Sequence, residues 1–490
     1  MSLPYISVVD HTIMLNFIEN VLCYFESCFS RKAAFNWFVT ITIGLMLRSD
    51  KLGVTSVIRD LALNPGCYDS LLHFFRASSW SLEEIRKRWF SAVKLYAPLY
   101  KEGNYHVLVG DGVKQPKEGR RMPGVKKLFQ ESENSAKPEY IHGHMFGGLG
   151  ILAGRVRNWA CIPLSIRLHD GLQAAKEWNG ASVCEASHVV QMVEDAYRAA
   201  LTFGNSLLLL DRYFLTVPAL EKLGALNSSG DVRMEIITKA KKSCTAFEKP
   251  GLRRPGRGRP QKKGAVVHLK ELFISHNEQF QQAELELYGK KESLRYYCID
   301  LLWGQKLYQE LRFVLVERNG IQSILASTCL ELDPLSIIRL YSYRFRIECT
   351  FRELKQQVGA FCYHFWSKHM PKLSYYQKKE DPAPLEQVED EKSRRKVLKA
   401  VRATEMHMAL SCIAMGLLQS LSIYNIGKIR SSQIRYQRTP SRGRVSEATL
   451  MHYFRKHFFR LLAQKPELCI TRIIQGLQEE SEEHWDSLAS

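Results

Sequence analysis

Leu207-Leu208-Leu209-Leu210-Asp211 is a run of leucines closed by a carboxylate, and Val107-Leu108-Val109-Gly110-Asp111 upstream has the same form. A short, uninterrupted apolar run is the pattern of a strand buried on both faces, as in a parallel sheet covered by helices. An aspartate at the end of such a strand is positioned by a rigid element and is available for chemistry, although an aspartate there also serves simply to start a turn. The surrounding runs extend the pattern. Residues 106–109, 141–152 and 161–168 read as consecutive strands, 188–201 has helical spacing, and 207–210 and 234–237 read as further strands. Strand, strand, strand, helix, strand, helix, strand predicts an α/β core in which helices flank a mixed sheet.

That order of elements is the order of a ribonuclease H-like fold. Upstream, residues 14–29, 33–47, 54–63, 68–76 and 82–96 carry apolar side chains three and four apart, and Ser81 before Glu83-Glu84 looks like a helix cap. Downstream, a basic Gly- and Pro-containing run at 249–263 leads into strand-like segments at 266–274, 294–302, 313–316 and 323–327. After Gly359 come a loop, an acidic stretch at 381–391, a long helix over 394–421 and a basic end. The expected organisation is a helical N-terminal DNA-binding domain (1–103), the first part of the core (104–240), a basic β-rich insertion (241–332), the second part of the core (333–375) and a helical basic C-terminal region (376–490). Residues 54–76 could form a helix-turn-helix, or could pack as plain helical core.

The chain has 490 residues, with 69 Lys and Arg against 50 Asp and Glu, a formal charge of +19. Such an excess points to a polyanionic partner, usually nucleic acid. The 12 cysteines include no Cys-x-x-Cys pair, so neither a disulfide framework nor a structural zinc is expected, and a reducing cytosol fits. Residues 1–10 have no basic leader, and the apolar stretch 33–47 is short for a bilayer and contains Asn36, so no membrane partner is expected. No Gly-x4-Gly-Lys-Ser/Thr loop for nucleotide phosphates is present.

Asp333-Pro334 is a strong helix start and Gly359 a strong stop. At about 100° per residue, Tyr341, Arg344, Glu348 and Lys355 fall within about 60° of one another. Leu340, Ile347, Phe351, Leu354 and Val358 form an adjacent apolar stripe, so the helix can bury one face on a sheet and turn the polar stripe into a cleft. The same stripe would also suit a solvated face carrying an Arg344 to Glu348 ion pair.

The spacing Tyr341-x2-Arg344-x3-Glu348-x6-Lys355 resembles the signature of one large group of bacterial insertion-sequence transposases of the DDE class, and the flanking 313–316, 324–328 and 351–356 resemble it too. Cys329 departs from the aspartate that group often has after Ser-Thr. The resemblance implies that Asp111, Asp211 and Glu348 are catalytic and hold two Mg²⁺ (or Mn²⁺) ions, hard cations that select carboxylate oxygens. It implies that Tyr341, Arg344 and Lys355 contact DNA phosphates. It further implies cleavage at transposon-end inverted repeats, strand transfer into target DNA, excision through a hairpin, a homodimer in the synaptic complex and a bacterial, nucleoid-associated, cytoplasmic setting. Two rivals stay open: a nuclease of the same fold without strand transfer, and a catalytically silent, transposase-derived DNA-binding protein.

Three smaller features complete the reading. Gly256-Arg257-Gly258-Arg259-Pro260, flanked by Arg253 and Arg254, resembles an AT-hook that inserts arginines into a narrow minor groove, or is a basic linker touching phosphates. His142 and His144 alternate on a strand without a third ligand at metal spacing, so a structural role is expected. Trp303 or another insertion aromatic is a candidate to hold a flipped base, as in the resembling group, with no motif to decide which.

Overall fold

The computed structural model describes residues 13–50, 53–130, 138–155, 158–178, 187–251, 261–374, 376, 382–424 and 445–478. The N-terminal region is helical: α1 (Ile13–Cys23), α2 (Lys32–Leu47), α3 (Ser56–Asp60), α4 (Cys67–Arg76) and α5 (Leu82–Tyr96). Ser81 caps α5, its hydroxyl accepting from the Glu84 N–H. The helix expected over 54–63 shrinks to the single turn α3, because Ala62 adopts a positive φ of 50° and Asn64-Pro65-Gly66 follows.

The core strands are β1 (Tyr105–Pro116), β2 (Tyr140–Arg155), β3 (Asn158–Leu168), β4 (Ser206–Leu209) and β5 (Met234–Ala240); α6 (His188–Phe203) precedes β4 and α7 (Val217–Ser229) follows it. Their spatial order is β3-β2-β1-β4-β5. β1 runs antiparallel to β2 and parallel to β4, which is parallel to β5. Leu207 to Leu210 are all fully buried, as the uninterrupted apolar run requires, and each such side chain contributes about 1.5–3 kcal/mol through burial.

Past β5 the chain builds β6 (Gln281–Leu287), β7 (Lys290–Trp303), β8 (Gln309–Arg318) and β9 (Ile321–Ser327), joined as antiparallel neighbours. β9 pairs with β5, Ile324 opposite Ala240, so the β-rich region continues the core sheet edge to edge. The strand expected over 266–274 is only Val266–His268, followed by a helical turn at Leu272–Ser275. Leu269, Leu272 and Phe273 are buried at helical spacing, and a short apolar run does not by itself separate strand from helix.

The chain then forms α8 (Pro334–Tyr343), α9 (Phe345–Glu353), α10 (Glu391–Tyr424), α11 (Glu447–Ala463) and α12 (Cys469–Gln478). α10 is long and apolar enough to cross a membrane, yet its apolar stretch is wholly buried within the protein, where it packs on β3, α2, α4 and α5 as a core helix. The whole is a mixed α/β protein with one large mixed sheet and many helices, consistent with the core expected from the sequence.

Candidate active site

Two aspartates come together through strand register. β1 and β4 are adjacent and parallel, with Val109 opposite Leu209. That pairing ends two residues before Asp111 and Asp211, and the charge of Asp211 is among those that act on Asp111. Asp211 follows the end of β4 and starts the 3-10 turn Arg212–Phe214, its carboxylate accepting from the Arg212 N–H at 2.6 Å. Thr238 of β5 holds it from the side, its hydroxyl donating to the Asp211 carbonyl at 2.8 Å.

Asp111 corrects the expectation of a strand end. It lies inside β1, which runs on to Pro116 because β2 continues opposite it. What ends at this level is the parallel neighbour β4, and that opens one side of Asp111.

The third carboxylate arrives on a helix. Asp333 caps α8, accepting from the Ser336 N–H at 3.0 Å, and Pro334 occupies the first turn. The expected single α-helix is interrupted: Arg344 bonds back to the Tyr341 carbonyl with a tighter, three-residue turn, and Leu354–Val358 form a π turn before Gly359 at φ 66°. Helical phase therefore shifts before Lys355, whose Nζ lies 5.5 Å from the Phe361 ring centroid.

The helix is fixed from three sides. Phe351 rests on Gly148, where a Cβ would stand 2.5 Å from the ring, so only glycine permits this approach. Thr350 donates to the Cys161 carbonyl at 2.7 Å and accepts from Gln419 of α10 at 3.2 Å. Arg48, fully buried after α2, donates to the Gly359 carbonyl at 3.2 Å.

Arg344 ties helix to sheet. Its Nη1 donates to Asp111 Oδ2 at 3.1 Å and its Nη2 donates to Glu348. Burial alone would lower the guanidinium pKa; the charges of Asp111 and Glu348 more than reverse this, and it stays protonated. Asp111 is pushed up to about 6, chiefly by burial, with Arg344 and the Gly112 N–H opposing and the charges of Glu348 and Asp211 adding to the rise. The Tyr341 hydroxyl is raised by burial, opposed by Arg344 and reinforced by Asp211, Tyr288 and Asp111. Tyr341, Arg344, Glu348 and both aspartates thus share one electrostatic neighbourhood. Among the described residues, however, no three His, Cys, Asp or Glu side chains converge closely enough to hold a metal ion, and the Arg344 guanidinium occupies the cationic position between Asp111 and Glu348.

Sequence reasoning missed some neighbours. Lys239 of β5 is lowered by burial and by Arg212, with Asp211 opposing, which places Arg212 and Lys239 beside the second aspartate. The adjacency of Arg212 to Asp211 was legible; the approach of Lys239 depends on β5 pairing with β4. Gly147-Gly148 inside a strand was the available signal for a close-packed helix. Tyr288, exposed at the tip between β6 and β7, is the insertion aromatic felt by Tyr341, whereas Trp303 donates to Cys244 Sγ at 3.2 Å. His144 is structural, hydrogen-bonded to the Tyr363 hydroxyl and to the Pro123 carbonyl. Arg253, Arg254, Arg257 and Arg259 lie outside the described residues.

No curated protein and no solved structure matches the chain. A family model described as DDE superfamily endonuclease matches residues 24–284, a span that includes Asp111 and Asp211 and ends before Glu348. With more than half of its length matched, the chain belongs to the DDE superfamily endonucleases.

Proposed function

We propose that this endonuclease is a DNA transposase of the insertion-sequence type, cutting DNA at terminal inverted repeats and joining the freed 3′ end to target DNA. The observation that supports this is the parallel pairing of β1 with β4 up to two residues before Asp111 and Asp211, together with the Arg344 guanidinium that links Asp111 to Glu348. DDE enzymes generally use divalent metal ions; Asp111, Asp211 and Glu348 offer hard carboxylate oxygens, the donor type such ions select, although here the three do not converge and the Arg344 guanidinium lies between Asp111 and Glu348. Asp111, Asp211 and Glu348 are the residues that would hold such ions, whose chemistry would be to activate the attacking hydroxyl and stabilise the leaving oxygen.

The remaining residues act on the DNA. Arg344, which here pairs with Asp111 and Glu348, carries the planar fork that would suit a DNA phosphate. Tyr341 stays protonated and can donate its hydroxyl to a phosphate oxygen, and Lys355 adds positive charge along the helix. A synaptic homodimer, target DNA and a nucleoid-associated, cytoplasmic setting belong to the same proposal.

The test is cleavage and joining of duplex DNA carrying the element's inverted repeats, with Mg²⁺ or Mn²⁺, comparing wild type and Glu348→Ala. Loss of both steps in the variant with DNA binding retained is expected. Equal activity in the two proteins removes Glu348 from the site. Metal-dependent cutting without any joined product would instead establish a nuclease without strand transfer.

A further inference from the structure

Away from Asp111, two adjoining clefts of about 750 and 600 Å³ share His73, Arg76 and Lys399. Their walls come from four parts of the chain: the start of α2, α4 with the residues just after it, the extended segment after the Glu348 helix, and the first turns of α10. Arg31 joins from the start of α2, Lys368 from the segment and Lys396 from α10. Asp69 is the one carboxylate lining either cleft, among the described residues. Arg31, His73, Arg76, Lys368, Lys396 and Lys399 are all exposed.

The pattern is built by regular structure. His73 and Arg76 are three apart on α4, and Lys396 and Lys399 three apart on α10, so each pair shares a helix face. In the segment between them, Tyr363, Phe365 and Ser367 are buried while His364, Trp366 and Lys368 are exposed, the two-residue alternation of an extended chain. Trp366 is 59% exposed and Tyr68, on α4, 43%. The walls are pinned to one another: Phe75 and Phe365 have ring centroids 5.0 Å apart, His369 hydrogen-bonds Ser393 at 2.9 Å, and Arg121 donates to the Lys368 carbonyl at 2.8 Å.

We infer that this cleft is a second DNA-contacting surface, which grips the phosphate backbone of duplex DNA outside the site of cutting. Charge is its dominant feature, and among the described residues Tyr68 and Trp366 are the only large apolar side chains exposed along it, which favours backbone contact over the serial base stacking of single-strand channels. Trp366 and Tyr68 would pack on the sugars between phosphates. The inference rests on the proposed activity only for the choice of DNA as the polyanion.

The experiment is fluorescence anisotropy of a labelled duplex of about 30 base pairs without inverted repeats, over a salt series, with the full chain. The triple variant Arg76→Gln, Lys396→Gln, Lys399→Gln should keep the wild-type Tm, because all three side chains are on the surface. Its log affinity should fall less steeply with log salt, by about 2.7, from about 0.9 for each of three lost phosphate contacts. Trp366→Ala should weaken binding severalfold with the salt slope unchanged, a separation that a nonspecific loss of charge would not produce. Unchanged affinity and slope in the triple variant, or a loss confined to single-stranded DNA or to polyglutamate, overturns the assignment. Cleft-dependent duplex binding by a wild-type protein that cuts nothing with either metal supports the cleft and refutes the proposed activity.

Discussion

Replacing Gly148 by alanine places a methyl group where the Glu348 helix rests. Gly148 pairs with Asp111 across β1 and β2, and its missing Cβ would stand 2.5 Å from both Cε1 and Cζ of Phe351. Ordinary carbon contact begins near 3.5 Å, so the ring edge must retreat by about 1 Å. Phe351 is 8% exposed, and Ile347, Leu354 and Val358 on the same face are buried, so the ring cannot yield without moving the helix. Overpacking of this kind costs about 1–3 kcal/mol in stability. Its effect on chemistry is larger, since a misplacement of about 1 Å can cost about 10²-fold in rate. The assay is the single-turnover rate of metal-dependent DNA cleavage, measured beside Tm and DNA affinity. Gly148→Ala should cut about 10²-fold more slowly at unchanged affinity, and Phe351→Leu in the same chain should restore part of the rate by vacating the space. Wild-type cutting by Gly148→Ala, or no rescue by Phe351→Leu, would refute the argument that this contact sets the position of Glu348.

Two further outcomes concern stability. His144 and His407 are both fully buried and lowered to about 3, mainly by burial, so they fold as neutral rings. The stability this confers is complete above the ordinary histidine pKa near 6.5 and is lost as pH falls toward 3; between pH 6.5 and 5 each ring costs about 2 kcal/mol. Thermal unfolding should therefore drop steeply over that window, and His407→Leu should make the drop shallower by about one proton; an unchanged slope contradicts the assignment. Arg48→Met removes the donor to the Gly359 carbonyl and should lower stability by about 1–3 kcal/mol in urea denaturation, with no change expected if water replaces the guanidinium fully.

Much of this site could be read from residue order because its parts are local. The leucine run, the Asp333-Pro334 start and the Gly359 stop each act over a few residues, and the structure keeps all of them. The errors arose where partners decide. β1 runs past Asp111 because β2 lies opposite, a fact of pairing that no window around Asp111 contains. Ideal helical spacing put Tyr341, Glu348 and Lys355 on one stripe, but the tightened turn at Arg344 alters the phase of Tyr341 against Glu348 and the π turn at Leu354–Val358 that of Lys355.

The sequence by itself determined that this is a basic α/β protein and where its carboxylates fall along strands and a helix, because periodicity and charge are properties of the chain. Only the tertiary structure decided that the strands leading to Asp111 and Asp211 pair in parallel, that Gly148 admits Phe351, and that cations from α4, the segment after Gly359 and α10 share one cleft. Those facts bring together residues far apart in the chain, and only strand pairing and side-chain packing specify such neighbours.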